Sequence, residues 1–231
     1  MTDIPYDAYI KLITLAAGDL SGQKILDVGC GTGVLSAKLA EIGGEVTGID
    51  LSAEMLQMAK ERAELLQLPM TFIQQPMQEL AGHQQMDVAV ISIDSLNYLM
   101  EKSEVKETFN RIYEALKPGG ILLFDVHSTF KMDVIFMEGP FVFDDKEIAY
   151  IWQTAPSDVP HSIHSVLSFF VKTETGLYER FDETHRQRTF PVHEYVEMLM
   201  ETGFQLERIF ADWEDEAPEE ESERIFFQVR K

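Results

Sequence analysis

Alternation constrains this chain more than any other feature. Between residues 24 and 126, five short apolar runs (24–28, 45–50, 70–74, 87–93 and 120–126) are separated by segments of helical periodicity. Several runs are apolar at consecutive positions, as strands must be when helices cover both faces of a parallel sheet. Ser52 is a suitable N-cap for a helix carrying Met55, Leu56, Ala59, Ala63 and Leu66. A second helix presents Val105, Phe109, Ile112, Tyr113 and Leu116, with Pro118-Gly119-Gly120 as its stop signal. Alternation of this kind specifies a doubly wound α/β domain.

The pattern breaks at His127. From there to Arg188 no long helical pattern occurs. Residues 148–152, 163–172 and 177–188 read instead as strands, the last two joined by the turn Thr173-Glu174-Thr175-Gly176. A helix resumes over 192–202 with Gly203 as a left-handed C-cap, and two strands, 204–213 and 224–231, flank an acidic loop. The expected organisation is one α/β domain built from residues 1–127 and 191–231, interrupted by an antiparallel β insertion over 128–190.

Charge narrows the partners. With 19 basic and 40 acidic residues the net charge is -21, and no Lys/Arg cluster stands out. Nucleic acid and anionic lipid draw their affinity from such clusters, so neither is an expected partner. No run approaches the ~18 apolar residues of a membrane span. The start, MTDIPYDAYIKL, lacks the basic-then-apolar order of a signal peptide, so a cytoplasmic protein is expected. The single cysteine, Cys30, rules out an intramolecular disulfide and a Cys-rich zinc site. His161 and His164 form an H-x-x-H pair, but on an extended segment their rings face opposite sides, and no metal is expected. Residues 212–223 hold eight acids and no base, which reads as a solvated hairpin loop.

The stretch ILDVGCGTGVLS, residues 25–36, carries the chemistry. After Asp27, the glycines Gly29, Gly31 and Gly33 let backbone amides approach a ligand, and the helix beginning at Val34 adds partial positive charge. A P-loop would need Lys-Ser or Lys-Thr after these glycines. The dinucleotide fingerprint would need its third glycine at position 34, where Val34 stands. Asp50 lies 21 residues beyond Gly29 at the end of the second strand, where a carboxylate can accept both hydroxyls of a ribose. An adenosine-type ligand without phosphate fits best.

DVGCGTG, Asp50 within GIDLS, and LKPGG before the fifth strand resemble class I S-adenosylmethionine-dependent methyltransferases over about residues 20–127. The resemblance implies a mostly parallel, seven-stranded Rossmann-like sheet and S-adenosylmethionine as cofactor. It also implies that Gly29, Cys30, Gly31 and Gly33 form the loop around the methionine moiety. Asp27 would hold that loop and the methionine amino group, and Asp50 the ribose. Leu51 and Met55 would pack beside the adenine, and the Met77 N–H would meet an adenine nitrogen. Pro76, in FIQQPMQEL, replaces the acid this family often places against the adenine amine, leaving Gln75 or Gln78 as uncharged substitutes.

The fourth and fifth strands end in Ile93-Asp94-Ser95-Leu96-Asn97-Tyr98 and Asp125-Val126-His127-Ser128, so both should border the transferred methyl. His127 is the candidate base, with a structural hydrogen bond as its alternative role. Tyr98 and Asn97 either orient the acceptor or cap the loop, and Asp94 is placed to face the sulfonium or an acceptor amine. Tyr6 and Tyr9 either close over the cofactor or pack in the core. The insertion looks like the sheet that some small-molecule N- and O-methyltransferases set over their active site. Its Asp182, Glu183, His185, Arg186 and Arg188 would grip a polar substrate or form surface ion pairs. The expected activity is methyl transfer to nitrogen or oxygen of a small polar acceptor. A non-catalytic cofactor-binding regulator and a nicotinamide-dependent oxidoreductase are the alternatives. The oligomeric state stays open, a homodimer being one option.

Overall fold

The structure is a computed structural model that describes residues 4–213 and 216–231. Its first half alternates as the sequence does. Helix α1 (Tyr6–Ala17) leads into β1 (Lys24–Val28), α2 (Val34–Glu41), β2 (Glu45–Asp50), α3 (Ala53–Leu66) and β3 (Thr71–Gln74). Then come β4 (Met86–Ile91), α4 (Lys102–Ala115) and β5 (Leu116–His127). After β5 stand the five-residue α5 (Thr129–Asp133) and strands β6 (Phe141–Asp144), β7 (Ile148–Pro156), β8 (Ser162–Lys172) and β9 (Tyr178–Arg188). The chain closes with α6 (Val192–Thr202), β10 (Gln205–Ala211) and β11 (Arg224–Arg230).

Seven strands form one sheet in the order β10-β11-β5-β4-β1-β2-β3. It is parallel except for β11, which runs antiparallel to both β5 and β10. Strands β6 to β9 form a separate antiparallel sheet in sequential order. The consecutive apolar residues of the central strands explain the layering. Alternate side chains of β1 diverge, Ile25 joining the core under α1 and α2, and Leu26 the core under α4 and α6. Phe124 stacks on Phe227 at 4.8 Å in one core, and Phe210 on Phe226 at 5.0 Å in the other. Each such buried ring contributes about 1.5–3 kcal/mol relative to exposure.

Local signals behave as their chemistry dictates. Ser52 Oγ accepts the Met55 N–H at 3.1 Å as the α3 cap, and Gly203 closes α6 at φ 107°. Three elements depart from the sequence reading. Helix α1 has only Tyr9 and Ile13 fully buried, too thin a stripe to stand out as periodicity. The Pro118-Gly119-Gly120 stop does not precede β5 but lies inside it. Pairing jumps from Met86↔Leu116 to Val88↔Ile121, so the segment between bulges outward, and Lys117 pairs there with Asp87. Strand β6 is an additional short edge strand of the insertion. Among the described residues no helix is long and apolar enough to cross a membrane. Of the acidic loop, Glu214 and Asp215 lie outside the described residues. At its ends Asp212 accepts the backbone amides of Glu223 and Arg224, which closes the hairpin.

Candidate active site

The glycine loop is fixed from below. The amides of Gly29 and Cys30 both donate to the Ile49 carbonyl, at 2.7 and 2.9 Å, binding the loop to β2. Gly33 has φ 71°, and a Cβ there would lie 2.9 Å from the Ala59 Cβ on α3, so only glycine lets the two helices approach. Gly29 is hemmed in by Ser95, which closes the loop from the β4 side. Around Gly31, by contrast, nothing lies within 4 Å of where a Cβ would stand. Open space at one glycine beside tight packing at the others is what a backbone cradle for a ligand requires.

Two carboxylates flank this cradle. Asp50 Oδ2 accepts the Gly31 N–H at 2.8 Å, and its Oδ1 accepts the Ser52 N–H at 2.9 Å. Leu51 and Met55 beside it are exposed, apolar side chains without a core to fill. Asp27 is fully buried; Ser36 Oγ donates to its Oδ2 at 2.5 Å, while Oδ1 has no protein partner. Burial, aided by the nearby Asp50 charge, raises the Asp27 carboxyl to about 6 against the hydrogen bond from Ser36. An orphaned, buried carboxylate oxygen under an open glycine loop fits a cationic amino group of a ligand. Burial and then the neighbouring Asp27 also push the Tyr6 hydroxyl up, and Tyr6 packs against the core under α1 and α2. Cys30 is no nucleophile: burial and then the Asp27 and Asp50 carboxylates push its thiol far above the thiolate range. Met77 starts a short 3-10 turn after Pro76, and its methyl group reaches to 3.6 Å from the Cβ position of Gly29. Gln75 is spent on the Ala81 backbone rather than aimed at a ligand.

The ends of β4 and β5 carry a second, buried charge cluster. Ile93 and Asp94 are both left-handed, with φ 57° and 52°, which is costly for an isoleucine. Asp125, fully buried at the end of β5, offsets that cost. Its Oδ1 accepts the Ile93 N–H at 2.8 Å and its Oδ2 accepts the Asp94 N–H at 3.0 Å. The turn swings the Asp94 carboxylate to 3.3 Å from His127 Nε2 and into contact with Arg224 of β11 and Gln187 of β9. Burial raises the Asp94 pKa, but the His127 and Arg224 partners outweigh it and hold the carboxyl far below the usual range. His127 is 5 % exposed, its ring edge on to Phe136, and its Nδ1 is buried without a partner. Asn97 is buried and spent on structure, accepting the His127 N–H and donating to the Arg188 carbonyl. Tyr9 is likewise structural, its hydroxyl donating to Asp125 at 2.6 Å.

The insertion presents one face to this cluster. Strand pairing sets three rows across it: Phe143, Tyr150, Phe169 and Phe181; then Phe141, Trp152, Leu167 and Glu183; then Thr154, Ser165 and His185. Gln187, one pleat beyond His185 on this face, reaches Asp94, and His185 Nδ1 lies 3.2 Å from the exposed Tyr98 hydroxyl. Partial burial and then the carboxylates of Asp94, Glu183 and Asp50 push that hydroxyl up to about 12. The face therefore grades from aromatic to polar as it nears Asp94. Asp182 lies on the opposite face with Arg180 and Ser168, and alternation puts Arg186 there as well. Arg188 is held by the Met100 carbonyl at 2.6 Å. Of the five β9 residues singled out from the sequence, only Glu183 and His185 face the site. His161 pairs with Asp133 at 2.6 Å rather than with His164.

Arg224 and Gln187 were not read from the sequence as site residues, and Asp125 was read only as part of the segment that ends β5. The one signal was an aspartate inside the otherwise apolar run GILLFDV.

A seven-stranded sheet with one antiparallel strand, a glycine loop after β1 and a carboxylate ending β2 define a class I S-adenosylmethionine-dependent methyltransferase. Comparison with known proteins agrees. Residues 25–120 match the methyltransferase-domain family. A "Putative methyltransferase" of Geobacillus sp. (strain WCH70) is 50% identical over 100% of this chain and 95% of its own length. A second relative of that description, from Bacillus subtilis (strain 168), is also 50% identical, over 100% of this chain and 92% of its own. Among solved structures, an S-adenosylmethionine-dependent methyltransferase from Clostridium acetobutylicum superposes with a TM-score of 0.90 at 27% identity, covering 99% of this chain and 93% of that one. The chain belongs to the S-adenosylmethionine-dependent methyltransferases. An amino pentose methyltransferase from Micromonospora echinaspora, solved with S-adenosylmethionine bound, shares the fold at a TM-score of 0.75 and 18% identity, covering 100% of this chain and 93% of that one.

Proposed function

We propose that this methyltransferase modifies nitrogen or oxygen of a small polar acceptor held between the ends of β4 and β5 and the inner face of the four-stranded sheet. On this reading residues 1–127 and 191–231 bind the donor, and residues 128–190 cap the acceptor. The observation that carries it is the Asp94–His127 pair, buried beside the glycine loop, with His127 Nδ1 lacking a protein partner.

S-adenosylmethionine, when bound, supplies a methyl already activated on a positively charged sulfur. The glycine loop from Gly29 to Gly33 and Asp27 would hold its methionine portion, and Asp50 its ribose. Leu51, Met55 and Met77 would flank its adenine, and Ile93 would border the reacting end. Asp94, the acidic partner of His127, favours the tautomer with the proton on Nε2, which leaves the lone pair on Nδ1 to take a proton from an acceptor amine or hydroxyl. General-base assistance of this kind is worth typically 10²–10⁴-fold. Orientation supplies more, on the order of 7–11 kcal/mol when the reactants are held in line. Tyr98 and His185 stand at the mouth to position the acceptor. The Asp50, Asp94 and Glu183 carboxylates around Tyr98 favour a cationic amine over an anionic acceptor. The aromatic rows beyond Glu183 suit an apolar portion of the same molecule.

A small-molecule acceptor accords with the net charge of -21, which disfavours nucleic acid and anionic membranes, and a cytoplasmic setting goes with that reading. The test is a panel of small amines and alcohols, with S-adenosylhomocysteine release as readout. Wild type should turn over members of the panel, and His127→Ala should lose at least tenfold in kcat. Methylation confined to nucleic acid or protein, or an unchanged kcat in His127→Ala, would refute the assignment.

A further inference from the structure

The base proposed above has a support that neither the glycine loop nor the family resemblance supplies. It comes from the last strand of the chain. Arg224 opens β11, opposite His127 in the ladder with β5, and its guanidinium is largely buried. One terminal nitrogen, Nη2, donates to Asp94 Oδ1 at 2.9 Å. The other, Nη1, pairs with Asp125 Oδ2 and lies 3.5 Å from the Tyr9 hydroxyl. Two carboxylates thus share one forked cation. The fork geometry matters, because an ammonium is a point charge and cannot engage two separated carboxylates with fixed direction.

Each carboxylate in turn fixes something. Asp125 accepts the two backbone amides of the left-handed Ile93–Asp94 turn, which fixes where the Asp94 side chain begins. Asp94 spends Oδ1 on Arg224, so that only Oδ2 is left for His127 Nε2 and Gln187 Nε2. An ionised oxygen accepts, so the Asp94 carboxylate 3.3 Å away favours the His127 tautomer with its proton on Nε2. The other ring nitrogen, buried without a partner, then holds the lone pair.

We propose that Arg224 is a positioning residue: by bridging Asp94 and Asp125 it locks His127 in the single tautomer with its proton on Nε2 and its lone pair on Nδ1. Arg224 touches neither donor nor acceptor in this arrangement and acts only through the two aspartates. The role rests on the assignment of His127 as base, yet the tautomer can be read without any acceptor, so the two claims fail separately.

Long-range proton–nitrogen spectra of protein labelled with ¹⁵N-histidine, recorded above pH 8 with S-adenosylhomocysteine bound, provide the test. In wild type the His127 ring should show one nitrogen of protonated type, Nε2, and one of lone-pair type, Nδ1. Arg224→Met should average the two toward a mixture, while S-adenosylhomocysteine affinity stays within about twofold. Arg224→Lys should remain mixed, since its ammonium cannot hold both carboxylates. A wild-type tautomer pattern in a folded Arg224→Met protein would overturn the proposal. If Arg224→Met does not fold, Arg224→Lys decides: a pure wild-type pattern there overturns it equally, and a mixture supports it. Loss of kcat with an unaltered tautomer would also overturn it, by showing that Arg224 acts otherwise.

Discussion

Donor affinity should depend on pH through Asp27, and the size of the effect follows from its surroundings. In the free protein the carboxyl is raised to about 6 because it is fully buried with one oxygen unpartnered. A cationic amino group placed against that oxygen would return it toward the ordinary carboxylate value near 4, a differential of about two pKa units, or about 2.7 kcal/mol. The sign follows directly. Only the carboxylate binds the cation, so affinity is full above about pH 6 and falls as the free protein takes up a proton below it. From pH 7 to pH 5 the apparent Kd should rise about tenfold, and near pH 6 binding should release about half a proton. Titration calorimetry with S-adenosylhomocysteine, in two buffers of different ionisation enthalpy, measures both. The ligand's own amino group gains protons toward low pH and would alter affinity in the opposite direction. Asp27→Asn should bind weakly and lose the slope. A flat profile in wild type, or an identical slope in Asp27→Asn, would refute the argument.

Other outcomes follow from the same geometry. Asp50→Ala removes the acceptor for the Gly31 and Ser52 amides together with the proposed ribose contact. Its S-adenosylhomocysteine Kd should rise at least tenfold, about 1.4 kcal/mol, and an unchanged Kd would remove Asp50 from the ribose. Asn97→Ala tests the opposite kind of role. It strips a fully buried amide that joins His127 N–H to the Arg188 carbonyl, so unfolding free energy should drop by about 2–3 kcal/mol in denaturant titration. Donor affinity in that variant should hold.

What the sequence disclosed is what physics makes local. Apolar runs and glycine spacing dictated the strands and the loop after β1, and Ser52 and Gly203 announced the ends of their helices. Asp50 could be placed because its distance from Gly29 is a property of one βαβ unit. The acceptor side was less legible. Ile93 and Asp94 adopt left-handed backbone without a glycine to signal it, and the reason, Asp125, lies 31–32 residues away. Arg224 meets Asp94 across 130 residues and Asp125 across 99, pairings that no periodicity encodes. The charged residues of FDETHRQR read as one cluster, yet strand alternation sends Glu183 and His185 to the site and Asp182 and Arg186 to the opposite face.

The cluster around Asp125 draws on Tyr9 from the first helix and Arg224 from the last strand, 215 residues apart. Contacts of such sequence separation close late, because the loop entropy must be met before they contribute. The glycine loop is held by β2, by Ala59 of α3 and by Ser95 beyond β4, so it too draws on elements well past the first two strands. The acceptor side has to wait for β11. Because β11 lies between β10 and β5 and sends Phe226 and Phe227 into the two cores, loss of the last strand should abolish donor binding and methyl transfer together.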